Sequence, residues 1–160
     1  MIRKKPVTPD AAKIKMADIC AKSEHCEYEI KNKLIKMGLC SGDIAEIIEF
    51  LLEERFIDNT RYAKSFVNDK VRFAGWGRNK IKQHLYLKRI PRECINEACL
   101  NIDEEVYLDS LYKVASQKAR SYDLSQYEEK AKLYRYLLSR GFEASFISKT
   151  IHRLIRESEE

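Results

Sequence analysis

The side chains with the clearest capacity for binding chemistry are cations in the middle of the chain. Residues 61–92 carry ten basic side chains and one acidic one. Basic side chains neutralise phosphates, and an aromatic ring among them can stack on a nucleic-acid base or anchor a protein partner. We therefore expect this segment to form a surface that binds a polyanion. Its candidate residues are Arg72, Trp76, Arg78, Lys80, Lys82, Lys88, Arg89 and Arg92.

The spacing of these residues suggests how such a surface is built. Arg78 and Lys82 lie four residues apart, so we expect them to share the outer face of a helix, with Arg89 further along. A row of cations at helical pitch can follow a phosphate backbone without reading its sequence. Trp76 stands between two glycines, and two roles stay open for it. It either stacks on a base or anchors a partner, or it caps the core of a helical bundle.

Charge alternates in bands along the chain, although the formal net charge is only +5. Residues 43–60 and 93–110 are acidic and flank the cationic segment, and residues 111–156 are again basic. Such banding is typical of a protein that presents a charged face to a polyanion. The alternative is a solvated surface whose bands neutralise one another in space.

Catalytic and metal-binding patterns find little support. The five cysteines are irregularly spaced without a CxxC pair, and the three histidines are far apart. Residues 75–80 resemble a glycine-rich phosphate loop but lack its spacing and its Ser or Thr. We expect no enzyme activity, no metal site and no cofactor. Residues 1–10 do not read as a signal peptide and no apolar stretch is long enough for a membrane span, so we expect a reducing, cytoplasmic location.

The elements that position the cations are predicted to be helices. Glycine and proline together make up only eight of 160 residues, and 34% of residues are charged. Apolar residues at helical spacing recur after 51 and then 52 residues, which indicates an internal repeat. The corresponding columns include Ile30, Leu34 and Leu39, then Ile81, Leu85 and Ile90, then Leu133, Leu137 and Phe142.

Each repeat is predicted to hold a helix, a short break and a second helix, with a further helix in front. The leading helices are expected near residues 60–73 and 104–119, with a weaker one in the first repeat. Gly38 and Gly141 are expected to end helices in a left-handed conformation. The predicted fold is all-α, with three tandem three-helix repeats in an elongated, curved array. The expected division is a basic flexible tail (1–11), three repeats (12–57, 58–102 and 103–156) and an acidic tail (157–160).

Pairs of helices joined by a short break also suggest a helix-turn-helix that reads DNA. Such a motif places base-contacting polar residues at the start of its second helix. The second helices here begin with acidic or small residues such as Asp43 and Glu143, and acids repel phosphate. The pairs are therefore interpreted as packing units.

The central segment resembles the RecX family, whose members regulate the RecA recombinase. The family pattern is followed in order by the residues Asp58-Asn59, Tyr62-Ala63, Phe66, Gly75-Trp76-Gly77, Ile81, Leu85 and Lys88-Arg89-Ile90. The resemblance extends over about residues 12–155. Two positions depart from it: Cys26 replaces a usual Ser, and Arg89 replaces the Gly of Lys-Gly-Ile. Arg89 must therefore avoid a positive φ or accept mild strain.

The resemblance implies a partner, the RecA filament on single-stranded DNA, and a mainly inhibitory role in DNA repair, recombination and the SOS response. It implies no catalytic step, and a monomer is the simplest expectation. Two other functions stay open: a general nucleic-acid-binding protein without sequence preference, and a structural helical-repeat adaptor.

Overall fold

The computed structural model describes residues 5–160, which fold into α-helices and one π-helix without a strand. The first unit holds α1 (Pro9–Lys22), α2 (Glu27–Lys36) and α3 (Ser41–Glu53). The second unit holds α4 (Asn59–Asp69), the π-helix (Lys70–Ala74), α5 (Arg78–Leu87) and α6 (Arg92–Leu100). The third unit holds α7 (Glu104–Ala119), α8 (Tyr127–Ser139) and α9 (Ala144–Glu159). The predicted all-α fold of three-helix repeats is confirmed.

The leading helix of every unit begins in the same way. The side chains of Thr8, Asp58 and Asp103 each accept a hydrogen bond from a backbone N–H three residues later, at 3.2, 2.9 and 3.1 Å. Such caps satisfy amides that have no partner inside the helix. Four residues after the cap lie Ala12, Tyr62 and Tyr107, all of them buried. These caps therefore mark equivalent positions in the three units.

The turn between the second and third helix of each unit contains one residue in the left-handed region. Gly38 and Gly141 have φ values of 81° and 94°, as predicted for helix ends. Arg89 takes the equivalent place in the second unit with a φ of 56°. A side chain in this conformation costs about 1–2 kcal/mol. Arg89 thus adopts the turn conformation of the glycine that it replaces, at the cost of backbone strain.

The leading helix of the second unit differs from its prediction. Instead of one helix over residues 60–73, α4 ends at Asp69 and continues as the π-helix Lys70–Ala74. Gly75 follows with a φ of 64°, and its N–H, like that of Trp76, donates to the Lys70 carbonyl. Single-turn π-helices are frequent at functional sites.

The apolar core consists of two clusters rather than three. Ten buried residues of the first unit, among them Met16, Ile30 and Leu51, form a cluster of their own. The second and third units share one larger cluster, which runs from Tyr62 to Ile151 and also takes in Cys26 of the first unit. The second and third units are therefore joined by a continuous core.

The ends of the chain differ in part from the predicted tails. α1 begins at Pro9 and α9 continues through Glu159, so residues 9–11 and 157–159 are helical. Residues 1–4 of the predicted basic tail lie outside the described residues. None of the described helices is both long and apolar enough to cross a bilayer.

Candidate nucleic-acid interface

The structure divides the predicted site residues into two groups. Four cations are exposed and belong to no ion pair within residues 5–160, namely Arg72, Lys82, Arg89 and Arg92. The other four residues, Trp76, Arg78, Lys80 and Lys88, are partly buried and make contacts inside the protein. In the second group, Arg78 and Lys88 are paired with carboxylates, and Lys80 lies over the Trp76 ring.

Trp76 packs on the side of the second unit. Its ring lies 6.2 Å from that of Phe66 and 4.6 Å from that of His84, measured between centroids. The amino groups of Lys80 and Lys70 lie over the same ring, at 4.4 and 4.9 Å from its centroid. Cations over an indole face are attracted by its negative quadrupole. These contacts match the interpretation of Trp76 as a cap on the helical bundle, with Lys80 held against it.

Arg78 joins the second unit to the third. Its guanidinium lies 3.9 Å from the centroid of the Tyr107 ring and 3.0 Å from the Glu143 carboxylate. Tyr107 donates its hydroxyl hydrogen to Glu143 at 2.5 Å, and burial together with this carboxylate raises the Tyr107 pKa. The expectation that Arg78 and Lys82 share an outer face is wrong. Arg78 is the first residue of α5, and Gly77 before it approaches the third unit so closely that Arg78 points into that junction.

Lys88 joins the second unit to the first. Its amino group lies 2.8 Å from Glu29 Oε1, which also accepts the Tyr62 hydroxyl hydrogen at 2.9 Å. His25 Nδ1 lies 3.1 Å from the other carboxylate oxygen. Burial opposes ionisation of Glu29, yet the hydrogen bonds from Lys88, Tyr62 and His25 outweigh it and lower its pKa. The hydrogen bond to Glu29 raises the pKa of Lys88. The positive charge of Lys88 therefore serves the contact between the two units.

Sequence reasoning missed a second set of cations. Lys113, Lys118 and Arg140 belong to the third unit, yet they line one cleft together with Arg72. Phe73 stands on the edge of this cleft with 81% of its surface exposed. The basic band at residues 111–156 was the only sequence signal for these cations. Their meeting with Arg72 depends on how the units pack.

Fold and surface together define a class: a tandem three-helix-repeat protein with unpaired cations on its second unit. Residues 58–98 match the family model for the second three-helix domain of RecX, and residues 105–151 match that for the third. The chain belongs to the RecX family.

Individual relatives support the same family, and a solved structure supports the fold. The chain is 34% identical over 140 residues to the "Regulatory protein RecX" of Clostridium beijerinckii, covering 86% of this chain and 65% of that protein. It is 31% identical over 124 residues to the protein of the same name from Vibrio vulnificus, covering 78% and 80%. The chain thus spans just under two thirds of the clostridial relative. The crystal structure of RecX from Lactobacillus salivarius superposes with a TM-score of 0.79 at 22% identity, over 91% of this chain and 96% of that one, and shows the same fold.

Proposed function

We propose that this chain binds RecA filaments on single-stranded DNA and lowers their recombinase activity, as a monomer acting in cytoplasmic DNA repair. The family is one of regulatory proteins, and the resemblance of the central segment implies RecA as the target. The observation that carries the proposal is the set of cations on the second unit that are exposed and form no ion pair within residues 5–160. Such cations suit a filament whose DNA presents a phosphate backbone.

The surface of α5 is suited to a target made of both protein and nucleic acid. Lys82 and Tyr86 lie four residues apart on this helix, and both are exposed, so they share one outer face. Tyr86 is 75% exposed and Leu87 is 63% exposed. Exposed tyrosines are frequent anchors at protein interfaces, whereas lysines contact phosphate. This mixed face supports a contact with RecA next to a contact with DNA.

The test measures ATP hydrolysis by preformed RecA filaments on single-stranded DNA while this chain is added. We expect hydrolysis to fall at less than one chain per RecA, because a bound chain limits the filament rather than a single subunit. The variant Lys82→Glu/Arg92→Glu should require several times more protein for the same effect. Lys33→Glu/Lys36→Glu on α2 makes the same charge change elsewhere and should act like the unmodified chain. Unchanged hydrolysis at stoichiometric amounts of the unmodified chain would exclude the proposal.

A second candidate, general nucleic-acid binding, is favoured by the excess of bases over acids in residues 61–92. It predicts tight binding to DNA without RecA, with affinity that falls with salt at a log–log slope of roughly −0.7 per phosphate contact on single strands. DNA binding of that kind with no effect on RecA would favour this candidate.

A further inference from the structure

The second and third units enclose a cleft whose walls carry cations and no acid. Residues of the π-helix, α7 and the end of α8 line it. No Asp or Glu is among the lining residues. Four of them are basic, namely Arg72, Lys113, Lys118 and Arg140. A cleft lined by one sign of charge concentrates counter-ions of the opposite sign. The cleft is therefore selective for an anion.

These four cations keep their charge available. Within residues 5–160 none of them forms a salt bridge. Arg72 donates from Nε to the Asn68 side chain at 2.6 Å, which leaves both terminal nitrogens of its guanidinium for a ligand. Lys118 lies over the Tyr136 ring, 4.7 Å from its centroid. No carboxylate competes with an incoming anion for these groups.

The backbone fixes the shape of the cleft. Arg140 donates to the carbonyls of Ala74 and Gly75, which holds the end of the π-helix to α8. A Cβ built on Gly75 would lie 2.6 Å from Val114 Cγ2 on α7 and 3.3 Å from the Arg140 guanidinium. Only glycine permits this approach, because Gly75 also has a positive φ. The cleft is thus preorganised by the junction of the two units.

Phe73 identifies the kind of anion. Its ring stands on the rim of the cleft, 81% exposed, on the π-helix that also carries Arg72. An exposed phenyl ring beside cations is suited to base stacking, which every nucleobase allows. An acidic peptide offers charge but no planar base for this ring.

We propose that this cleft binds the phosphodiester backbone of single-stranded DNA, with a base stacked on Phe73. Arg72, Lys113 and Lys118 contact successive phosphates, while Arg140 adds positive charge to the wall of the cleft. The third unit thereby extends the surface of the second. The inference rests on the proposed function in one respect: the single-stranded DNA that the cleft binds is the DNA of the RecA filament.

The experiment measures binding of a dye-labelled oligothymidylate to the purified chain by fluorescence anisotropy, over a range of salt and without RecA. Lys113→Ala/Lys118→Ala should weaken binding and make the log–log salt slope shallower by roughly 1.4, at about 0.7 for each lost phosphate contact. Lys33→Ala/Lys36→Ala removes the same charge from α2 and should leave both quantities close to those of the unmodified chain. Thermal unfolding followed by circular dichroism checks that both variants fold. Equal binding and equal slopes for the two variants would overturn the proposal.

A second variant separates stacking from charge. Phe73→Leu keeps an apolar side chain but removes the ring, and should weaken binding to oligothymidylate roughly fivefold or more. The same variant should bind an abasic strand of equal length as well as the unmodified chain does. Weaker binding of Phe73→Leu to both oligothymidylate and the abasic strand, or to neither, would contradict the stacking role. Displacement of the DNA by polyglutamate of equal charge, at equal concentration, would instead assign the cleft to acidic peptides and overturn the choice of ligand.

The same variants distinguish the two proposals. If the unmodified chain binds DNA through the cleft but leaves RecA hydrolysis unchanged, the proposed function fails and the cleft assignment stands. The opposite outcome is that the unmodified chain lowers RecA hydrolysis, and that Lys113→Ala/Lys118→Ala lowers it equally well and binds DNA equally tightly. In that case the cleft assignment fails and the proposed function stands.

Discussion

The two junctions between units have the same geometry but are formed by different residues. In each, the residue before the second helix of one unit meets the turn between the second and third helices of the next unit. Cys26 and the turn at Lys88-Arg89 form the first junction, and Gly77 and the turn at Arg140-Gly141 form the second. Cys26 and Gly77 have nearly the same backbone conformation, with φ of −94° and −84°.

At the second junction, backbone contacts backbone beside the Arg78–Glu143 ion pair. The N–H of Gly77 donates to the Arg140 carbonyl at 2.8 Å, and the N–H of Asn79 donates to the Gly141 carbonyl at 3.0 Å. A Cβ on Gly77 would lie 2.3 Å from the carbonyl carbon of Gly141. Glycine at both positions therefore allows the two backbone segments to touch, and the shared core continues beneath them.

The first junction has side chains where the second has glycines. Cys26 Sγ lies 4.0 Å from the Lys88 carbonyl, and the Arg89 guanidinium lies 5.3 Å from the centroid of the Tyr28 ring. Glu29 supplies the polar contacts, to Lys88 and to Tyr62 of the second unit.

Each junction contains a half-buried ion pair, Lys88–Glu29 in the first and Arg78–Glu143 in the second. Among the described residues, backbone hydrogen bonds between units are found at the second junction alone. The comparison teaches that the same junction geometry forms with or without such backbone bonds. The second junction should therefore be less sensitive to salt and acid than the first, because its backbone hydrogen bonds do not depend on ionised groups.

The largest effect is expected from Gly77→Ala. The added methyl group overlaps backbone rather than a flexible side chain, so it must force the second and third units apart. We expect the free energy of unfolding to fall by about 3 kcal/mol or more, measured by urea denaturation. Gly42→Ala is the matched control, because a Cβ there meets nothing within 4 Å, and glycine in a helix is less stable than alanine by about 0.5–1 kcal/mol. Similar destabilisation by both substitutions would break the comparison.

An intermediate effect is expected from Glu29→Gln. The amide keeps the size of the carboxylate but not its charge, so the first junction should lose about 1–2 kcal/mol at neutral pH. The loss should shrink as salt is added, because screening already weakens the charged network in the unmodified chain. Glu46→Gln, at an exposed position of α3, serves as the control and should change little. A loss independent of salt would show that charge does not hold this junction.

The same carboxylate makes a prediction about acid. Because folding lowers the pKa of Glu29, the unfolded chain binds its proton first as the pH falls through 4.5, the ordinary value. The stabilisation from Glu29 is therefore complete above that pH and is lost as the pH drops through the lowered pKa. Urea denaturation at a series of pH values should show a shallower acid loss for Glu29→Gln than for Glu46→Gln. Parallel curves would contradict the assignment.

The smallest effect is expected from Arg89→Gly, which gives the first junction the glycine of the second. Relief of left-handed strain is partly offset by the greater freedom of glycine in the unfolded chain, so we expect a gain of about 0.5 kcal/mol. Arg89→Ala removes the same guanidinium but keeps a Cβ in the strained conformation, and should not be stabilising. Equal stability of the two variants would show that the strain is no larger than the entropic cost of glycine, and would contradict the expected gain.

Local patterns in the sequence were sufficient for the helices and turns but not for the junctions. Gly38 and the apolar columns around Leu133 and Leu137 act within one unit, so the fold was predictable. The partners of Arg78 and Lys88, Glu143 and Glu29, lie 65 and 59 residues away in the chain. Nothing near them in sequence shows that these cations are already paired.

The candidate site was predictable only in part for the same reason. Residues 61–92 stood out by charge, and their exposed members stay candidates for phosphate contact. Arg72 and Phe73, by contrast, acquire their cleft only because Gly75 lets the π-helix approach α7 of the next unit. A contact that depends on unit packing leaves no pattern at short range.

The most direct test of the account is hydrogen–deuterium exchange of this chain, free and bound to RecA filaments on single-stranded DNA. The account predicts new protection at the π-helix Lys70–Ala74, in α5 and in α7, because these elements carry the exposed cations and line the cleft. The first unit should change less. Protection confined to α1–α3, or no protection at all in the presence of filaments, would contradict it.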